Sequence, residues 1–264
     1  MRLRNAFTLA TGLLVSGAGF AGPVVSGFDS NTLAGNDDGS TGLVDIGFAI
    51  NFFNNTYSQL YVNNNGNVTF NAPQEEYTPS SLDVLDTVFI APFFADVDTR
   101  YAGSLVTYGT GLYNGKTAFG VNWVDVDYYY GDPAHTARNN FQLILVDRSD
   151  CDDCFDGDFD IIFNYGSIQW EAGTASDAGP DGLGGYAARA GWASGTGKAD
   201  ELPGSGINGA FIDGGPNALA GRSFVFEVRN GEPRSPIPEP ETWAMLLAGL
   251  GVVGVTAKRR RRQG

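Results

Sequence analysis

Segment 147–160, DRSDCDDCFDGDFD, holds seven aspartates in fourteen residues and is the densest group of potential metal ligands in the chain. Carboxylates this close together repel one another, and a bound divalent cation reverses that repulsion. Calcium suits such a loop because it accepts about six to eight oxygen ligands in irregular geometry. The segment therefore has two interpretations, a solvated acidic loop or a calcium site, and the candidate ligands of that site are Asp150, Asp152, Asp156 and Asp158.

An EF-hand is excluded within this segment. The best frame begins at Asp152 and has Gly157 in sixth place, but Cys154 and Phe163 then stand at positions that need oxygen ligands. Calcium is therefore the one candidate cofactor, and only through a looser site.

The two cysteines of the chain, Cys151 and Cys154, lie inside the same acidic segment. A Cys-x-x-Cys spacing fits metal or redox chemistry in the cytosol, whereas an oxidising compartment favours a disulfide. The single histidine, His135, leaves too few soft ligands for a zinc site. Because both ends of the chain predict export, as argued below, we expect a Cys151–Cys154 disulfide, with a free dithiol as the alternative.

Carboxylates two residues apart recur along the chain, at Asp96 and Asp98, at Asp125 and Asp127, and at Asp156, Asp158 and Asp160. A glycosidase needs such a pair as acid and base. Residues two apart also share one face of a strand, so the same pairs fit the solvated side of amphipathic strands. The chain has no Gly-x-Ser-x-Gly turn to serve with His135 in a catalytic triad. We predict no catalytic residues.

Three consecutive tyrosines, Tyr128, Tyr129 and Tyr130, are the candidate residues for stacking on sugar rings. Successive side chains of a strand point to opposite faces, so we expect at least one of these rings to be exposed. An exposed ring would suit a carbohydrate-binding module for exopolysaccharide.

The first 21 residues follow the three-part pattern of a secretory signal peptide. Arg2 and Arg4 precede the apolar stretch 6–15, and small residues lead to Ala21, after which we expect cleavage. The sequence thus predicts an N-terminal signal helix and a domain that folds outside the cytoplasm.

At the other end, the uncharged run 243–257 is followed by Lys258 and four arginines. Fifteen helical residues at about 1.5 Å each span roughly 22 Å, less than the ~30 Å hydrocarbon core, so this is a marginal transmembrane helix. Its positive charges are expected on the cytoplasmic side. The sorting residues to which this pattern points are Pro238, Glu239, Pro240, Arg259, Arg260, Arg261 and Arg262.

Pro-Glu-Pro, the apolar run and the arginine cluster, in this order, resemble the PEP-CTERM sorting signal of Gram-negative bacteria. The resemblance implies an exosortase and the secretion machinery as partners. It also implies a transient anchor in the inner membrane through the C-terminal helix, followed by a location at the cell surface or outside the cell.

The charge of the chain excludes a nucleic-acid-binding function. The formal net charge is −14, and without the two ends nine basic residues stand against 28 acidic ones. A surface this negative repels phosphate backbones and favours cations.

The 37 glycines, the aromatic content of 12% and the short alternating runs predict strands joined by tight turns. Asn114-Gly115 is a candidate type I′ hairpin turn. We expect an all-β, antiparallel sandwich-like domain flanked by the signal helix and the transmembrane helix. The predicted strands are 43–53, 59–62, 67–70, 87–94, 104–108, 117–130, 140–146, 159–165, 167–170, 186–192 and 222–228.

The phrases LYVNNNGNVTFN, VFIAPFFADVD, TAFGVNWVDVDYY, NNFQLILVDR and DFDIIFNYGSIQWEAG, in this order, resemble the NIDO (nidogen-like) domain, an extracellular module. The resemblance implies a role in cell-matrix adhesion and brings no catalytic residues. The expected organisation is a signal peptide at 1–21, a loosely ordered polar lead-in at 22–42, the β domain at 43–231, a Pro-rich linker at 232–242 and the sorting tail at 243–264. We expect a surface or matrix protein that contributes to adhesion or biofilm structure, with carbohydrate binding as the alternative and a hydrolase as the weakest one.

Overall fold

The computed structural model describes residues 24–101, 105–130, 136–151 and 154–235. The predicted signal peptide, the sorting residues, the transmembrane helix, His135 and Asp152 lie outside these ranges. In the described part of the chain, no helix has the length and apolar character needed to span a membrane.

Fourteen β-strands and two short 3-10 helices, Leu82–Val84 and Thr174–Ser176, make up the regular structure of the described residues. The strands are β1 (Asn31–Thr32), β2 (Val44–Phe52), β3 (Asn55–Asn63), β4 (Asn67–Thr69), β5 (Val88–Phe94), β6 (Val97–Asp98), β7 (Thr107–Tyr113), β8 (Lys116–Tyr128), β9 (Asn139–Asp147), β10 (Phe159–Tyr165), β11 (Arg189–Ser194), β12 (Ala199–Glu201), β13 (Ser223–Arg229) and β14 (Glu232–Pro233).

The strands form two sheets in which every pairing is antiparallel. The larger sheet has the order β1-β7-β8-β9-β10-β13-β14, with β6 paired to the far end of β8. The smaller sheet has the order β12-β11-β5-β4-β3-β2. The prediction of an all-β antiparallel domain is confirmed for the described residues.

Asn114 and Gly115 connect β7 to β8 as the two-residue turn that the sequence predicts. Both have positive φ, 50° and 79°, and Tyr113 pairs directly with Lys116. Positive φ at both central positions is the mark of a type I′ turn, whose twist matches that of the flanking strands. This prediction is confirmed, and the turn sets the register of the strand that carries Tyr128.

The two sheets pack around one hydrophobic core made of the inward side of each sheet. Ring centroids of Phe52 and Phe159 lie 5.7 Å apart, and those of Phe93 and Phe141 lie 5.1 Å apart. The Tyr165 hydroxyl donates a 2.7 Å hydrogen bond to the carbonyl of Pro92. Residues of β5 thus lie directly against β9 and β10, which holds the end of β5 in a fixed place.

Residues 24–42, for which the composition predicts loose order, are part of the fold in the structure. The side chain of Gln142 binds both the N–H and the carbonyl of Val25, at 3.2 and 2.7 Å. Phe28 is buried and β1 pairs with β7. Ser40 forms a β-bridge with Asn63. Long-range hydrogen bonds therefore order a segment whose local composition carries no strand signal. At the other boundary, β14 lies inside the segment expected to be a linker and pairs with β13.

Ten of the eleven predicted strand segments overlap strands, and the exception is 167–170. Its N–H groups bind side chains rather than a neighbouring strand: Ile168 donates to Asp213 Oδ1 at 3.0 Å, and Gln169 donates to Asn139 Oδ1 at 2.7 Å. The prediction of a strand there is wrong, because side-chain acceptors take the place of the backbone carbonyls of a neighbouring strand.

Candidate functional site

The turn between β3 and β4 brings two asparagines, Asn64 and Asn65, and Gly66 into the interior at one end of the sandwich. Gly66 has a φ of 73°, and a Cβ on it would lie 1.8 Å from the carbonyl oxygen of Phe93. Only glycine fits there. The turn therefore lies against the end of β5, next to the connection that carries Asp96.

Asn64 and Asn65 use their side chains to join this turn to two distant segments. Asn64 donates to the carbonyls of Asp37 and Val97. Asn65 accepts the N–H of Val97 at 2.9 Å and donates to Oδ1 of Asp38 at 2.9 Å. The side chains of Asn64 and Asn65 therefore fix residues 37–38 and the β5–β6 connection relative to each other.

The result is a group of three carboxylates, Asp37, Asp38 and Asp96, here called the aspartate cluster. One oxygen from each lies within 4.8 Å of the others. Asp96 is only 1% exposed, whereas the Asp37 side chain is 23% exposed. The cluster therefore reaches from the surface into the buried end of the domain.

Two oxygens of the aspartate cluster are buried without a hydrogen-bond partner among the described residues, Oδ2 of Asp96 and Oδ1 of Asp37. Gly173 closes the cluster on one side, since a Cβ on it would lie 2.2 Å from Oδ2 of Asp96. An unpaired buried carboxylate oxygen is costly, because the group loses its water without a replacement. Asp96 is therefore a buried carboxyl group whose loss of hydration the described residues do not fully compensate.

Arg100 is the basic residue beside the aspartate cluster, and its guanidinium binds mainly Asp98. Its Nε and Nη2 bind the two oxygens of Asp98 at 2.9 and 2.6 Å. Nη2 also lies 3.1 Å from Oδ2 of Asp37. Of the two carboxylates in the sequence Ala-Asp-Val-Asp, Asp98 thus has an arginine partner. Asp96 has no comparable ion pair among the described residues.

Burial raises the pKa of Asp96 to about 8, and the negative charges of Asp37, Asp38 and Asp98 add to this effect. Arg100 acts in the opposite direction. Burial also raises the pKa of Asp37 to about 6. Near neutral pH, Asp96 therefore retains a proton in the absence of an added positive charge.

The other carboxylate pairs that the sequence singles out bind protein groups. Asp127 lies 3.1 Å from Nη1 of Arg138. Asp160 contacts Nε of Arg148 at 2.6 Å and Nη1 of Arg229 at 2.9 Å. These ion pairs account for the buried aspartates of β8 and β10 as parts of the fold. Asp125, at a φ of 57°, is half-buried beside Asp127.

The disulfide between Cys151 and Cys154 is present as predicted, with the two Cα atoms 5.1 Å apart. Asp150 binds Nζ of Lys116 at 2.7 Å. The buried carboxylate of Asp158 accepts the N–H groups of Phe155 and Asn230, at 3.0 and 2.7 Å. Asp156 is exposed. The structure thus gives Asp150 and Asp158 separate partners, and a calcium site in this loop stays a prediction because Asp152 lies outside the described residues.

The three consecutive tyrosines at the end of β8 differ in burial. Tyr128 is buried, its ring centroid lies 5.4 Å from that of Trp170, and its hydroxyl donates to the carbonyl of Pro180 at 2.9 Å. Tyr129 and Tyr130 are half-buried, and stacking of a sugar on either ring stays a prediction. The glycine-rich loop around Pro180 covers this end of β8 and accounts for the burial of Tyr128. Tyr128 has no free face for a sugar.

Sequence reasoning missed Asp37 and Asp38. The available signal was Asn36-Asp37-Asp38-Gly39, a short acidic turn phrase, but nothing local connects it with Asp96, 58 residues further along the chain. The connection depends on the side chains of Asn64 and Asn65, and an Asn-Asn-Gly sequence indicates only a turn.

Comparisons with known proteins agree with both resemblances. The family described as NIDO related matches residues 20–177, and the PEP-CTERM protein-sorting motif matches residues 236–262. Both predictions of family and motif are confirmed. No solved structure matches the chain with significant similarity.

Three curated relatives show the extent of the likeness. Alpha-tectorin of Mus musculus is 34% identical over 181 residues, which is 60% of this chain and 8% of the relative. Alpha-tectorin of Homo sapiens is 34% identical over 182 residues, with the same two shares. Nidogen of Drosophila melanogaster is 26% identical over 229 residues, 77% of this chain and 16% of the relative. The chain thus spans less than a fifth of the length of these relatives.

The matched segment begins at residue 20, so it includes Asp37 and Asp38 as well as Asp96 and the Asn-Gly turn. It covers more than half of the chain and contains most of the strand phrases on which the resemblance rests. The chain therefore belongs to the NIDO-related family.

Proposed function

We propose that this protein is an exported bacterial surface protein, sorted by an exosortase, that contributes without catalysis to cell-matrix adhesion or to a biofilm or exopolysaccharide matrix. The observation that carries the proposal is the presence of two features in one chain. A NIDO-related domain occupies residues 20–177, and a PEP-CTERM protein-sorting motif occupies residues 236–262. The proposed route is a transient anchor in the inner membrane of a Gram-negative bacterium, then release to the cell surface or beyond.

The use of the carboxylates supports a non-catalytic role. A glycosidase needs an acid and a base on either side of an accessible sugar. Asp127 and Asp160 are buried and paired with arginines, and Asp98 is paired with Arg100. Asp96 has the raised pKa of a candidate acid, but it is 1% exposed and closed off by Gly173. These aspartates support the fold rather than an open catalytic cleft.

The proposal is tested by deleting the gene in the native host and measuring surface attachment and biofilm mass. Wild-type protein should restore both. A variant with Pro238, Glu239 and Pro240 changed to alanine should remain in the membrane fraction and restore neither. Unchanged attachment and biofilm mass in the deletion strain would rule out the proposed role.

A second candidate function, binding of exopolysaccharide, is favoured by one surface feature. The guanidinium of Arg100 lies 5.6 Å from the ring centroid of Tyr101 and 5.5 Å from that of Tyr129. Tyr101 is 58% exposed. Aromatic faces beside a multidentate donor are suited to sugars. Replacing Tyr101 and Tyr129 by alanine should weaken binding to host exopolysaccharide, whereas Tyr77→Ala, an exposed tyrosine elsewhere, should not.

A further inference from the structure

We infer that the aspartate cluster is a calcium-binding site in which Asp37, Asp38 and Asp96 each supply a carboxylate oxygen. The inference is independent of the proposed role in adhesion, because it rests on the geometry of the cluster, on an unpaired buried oxygen and on the balance of charge.

The geometry fits a single ion. Ligand oxygens at about 2.3–2.6 Å from one calcium ion lie at most roughly 5 Å apart. The three carboxylate oxygens of the cluster lie within 4.8 Å of one another. Hydrogen bonds already hold two of the ligand segments in place, since Asn65 binds Oδ1 of Asp38 and the N–H of Val97, the residue after Asp96. Little of the protein has to move to receive the ion.

Two oxygens of the aspartate cluster lack a hydrogen-bond partner. Oδ2 of Asp96, in a residue 99% buried, has no hydrogen-bond partner among the described residues, and neither has Oδ1 of Asp37. Polar atoms that are buried in this way usually have a partner, and a bound ion is one of the recognised explanations for an exception. A cation bound by the three carboxylates would compensate the charge that these unpaired groups bury.

Arg100 does not already fill this role. Its guanidinium binds both oxygens of Asp98 and approaches only the outer oxygen of Asp37, Oδ2, at 3.1 Å. Most of its charge is therefore balanced by Asp98. Fully ionised, the cluster carries three negative charges, and a divalent cation offsets two of them.

Calcium fits better than other divalent ions. Zinc prefers nitrogen and sulfur ligands, and the aspartate cluster offers only oxygen. Magnesium requires near-ideal octahedral geometry and gives up its water reluctantly, whereas calcium accepts irregular sets of carboxylates and water. The partial exposure of Asp37 leaves one side of the cluster open to water molecules that would complete the coordination.

The test is a calcium titration of the full chain, purified in non-ionic detergent and stripped with EDTA, by calorimetry and by thermal unfolding. Wild type should bind one calcium ion and its Tm should rise by at least about 4 °C in excess calcium, with a smaller response to magnesium. Asp96→Asn, which keeps the shape of the side chain, should weaken calcium binding at least tenfold. Asp38→Asn should do the same and serves as the second variant if Asp96→Asn does not fold by near-ultraviolet circular dichroism.

Two controls, each of which removes more negative charge than the single variants, separate this site from others. A variant with Asp29 and Asp86, both exposed, changed to asparagine should bind calcium as wild type does. A variant with Asp150 and Asp156 changed to asparagine should also retain binding, which excludes the acidic loop as the source. The inference is overturned if wild type shows no calcium-specific heat and no Tm shift, or if Asp96→Asn and Asp38→Asn bind as tightly as wild type.

Discussion

The ring of Phe28 fills the space that a side chain at Gly120 would occupy, since a Cβ on Gly120 would lie 2.4 Å from Cγ of Phe28. Phe28 is 1% exposed and packs on the outer side of the larger sheet, together with Ala118, Ile144, Val146 and Ile162. These residues alternate along their strands with those of the main core. The N-terminal segment thus covers a second apolar face that would otherwise be exposed to water.

Replacing Phe28 by alanine should lower the free energy of unfolding by about 3–5 kcal/mol, because it removes a buried ring and leaves a cavity in the glycine-lined space. Urea unfolding of the full chain measures the effect. Leu112→Ala, at a position 71% exposed, is the control and should change stability by less than about 0.5 kcal/mol. If the two variants unfold alike, burial of the Phe28 ring contributes nothing to the stability of the domain.

Replacing Cys151 and Cys154 by serine should cost less than the roughly 3 kcal/mol expected for a 15-residue disulfide loop. The Cys151–Cys154 bridge closes a much shorter loop, with a sequence separation of three residues, so it removes little entropy from the unfolded chain. Urea unfolding compares the double variant with wild type, and peptide mapping without reduction checks that wild type carries the bridge. If the double variant loses as much free energy of unfolding as Phe28→Ala does, the bridge stabilises more of the domain than its own short loop.

Local patterns were sufficient to predict most of the fold. The alternation of β8 and β10 and the Asn114-Gly115 turn are properties of a few neighbouring residues, and each is present as expected. Short strands such as β1 lack such a pattern, because Asn31 is ordered only by pairing with Tyr108, 77 residues away. The segment 167–170 shows the opposite error, since its alternation of polar and apolar residues resembles a strand while Asn139 and Asp213 bind its N–H groups.

The candidate site was less predictable than the fold, because aspartates that are close together in the sequence need not be close together in the folded protein. Among the described aspartates of segment 147–160, Asp150 and Asp160 pair with basic side chains, and Asp158 accepts backbone N–H groups. The aspartate cluster joins residues from the N-terminal segment and the end of β5, and buried asparagine side chains hold them together. No local sequence pattern predicts a contact between segments that lie so far apart in the chain.

Replacing Lys258 and the four arginines from Arg259 to Arg262 by serine should impair sorting. Positive charge fixes which end of an apolar helix stays in the cytoplasm, and a short helix depends on it more strongly. Intact-mass measurement of membrane and surface fractions should show wild type without the tail and the variant with it. A control with Arg222 and Arg234 in the domain changed to serine should be processed normally. Equal processing of the tail variant would show that the basic residues have no part in sorting.

The stability of the calcium-free domain should fall as pH rises from about 4 to about 8. The pKa of Asp96 is about 8 in the folded state against an ordinary value of 3.8, because burial disfavours its charged form. Within this window the folded state holds a proton that the unfolded state has released. The stabilising contribution is therefore complete below the unfolded pKa and is lost as pH rises through the folded one. Asp37, with a pKa of about 6, acts in the same direction over the lower part of the window.

Urea unfolding in EDTA, at steps of one pH unit from pH 5 to pH 9, measures how the free energy of unfolding falls with pH. The fall should approach about 1.4 kcal/mol per pH unit for one proton and level off above pH 8. Glu171 and Asp200 also have raised pKa values, so the profile of wild type alone does not isolate Asp96. Asp96→Asn keeps the shape of the side chain and removes this proton. Its stability should therefore depend visibly less on pH, and it should be more stable than wild type at pH 8.

Excess calcium should flatten the wild-type profile in the same way, because an ionised Asp96 then has a cation beside it. Parallel profiles for wild type and Asp96→Asn in EDTA would mean that Asp96 titrates near its ordinary pKa and bears no unpaired buried charge.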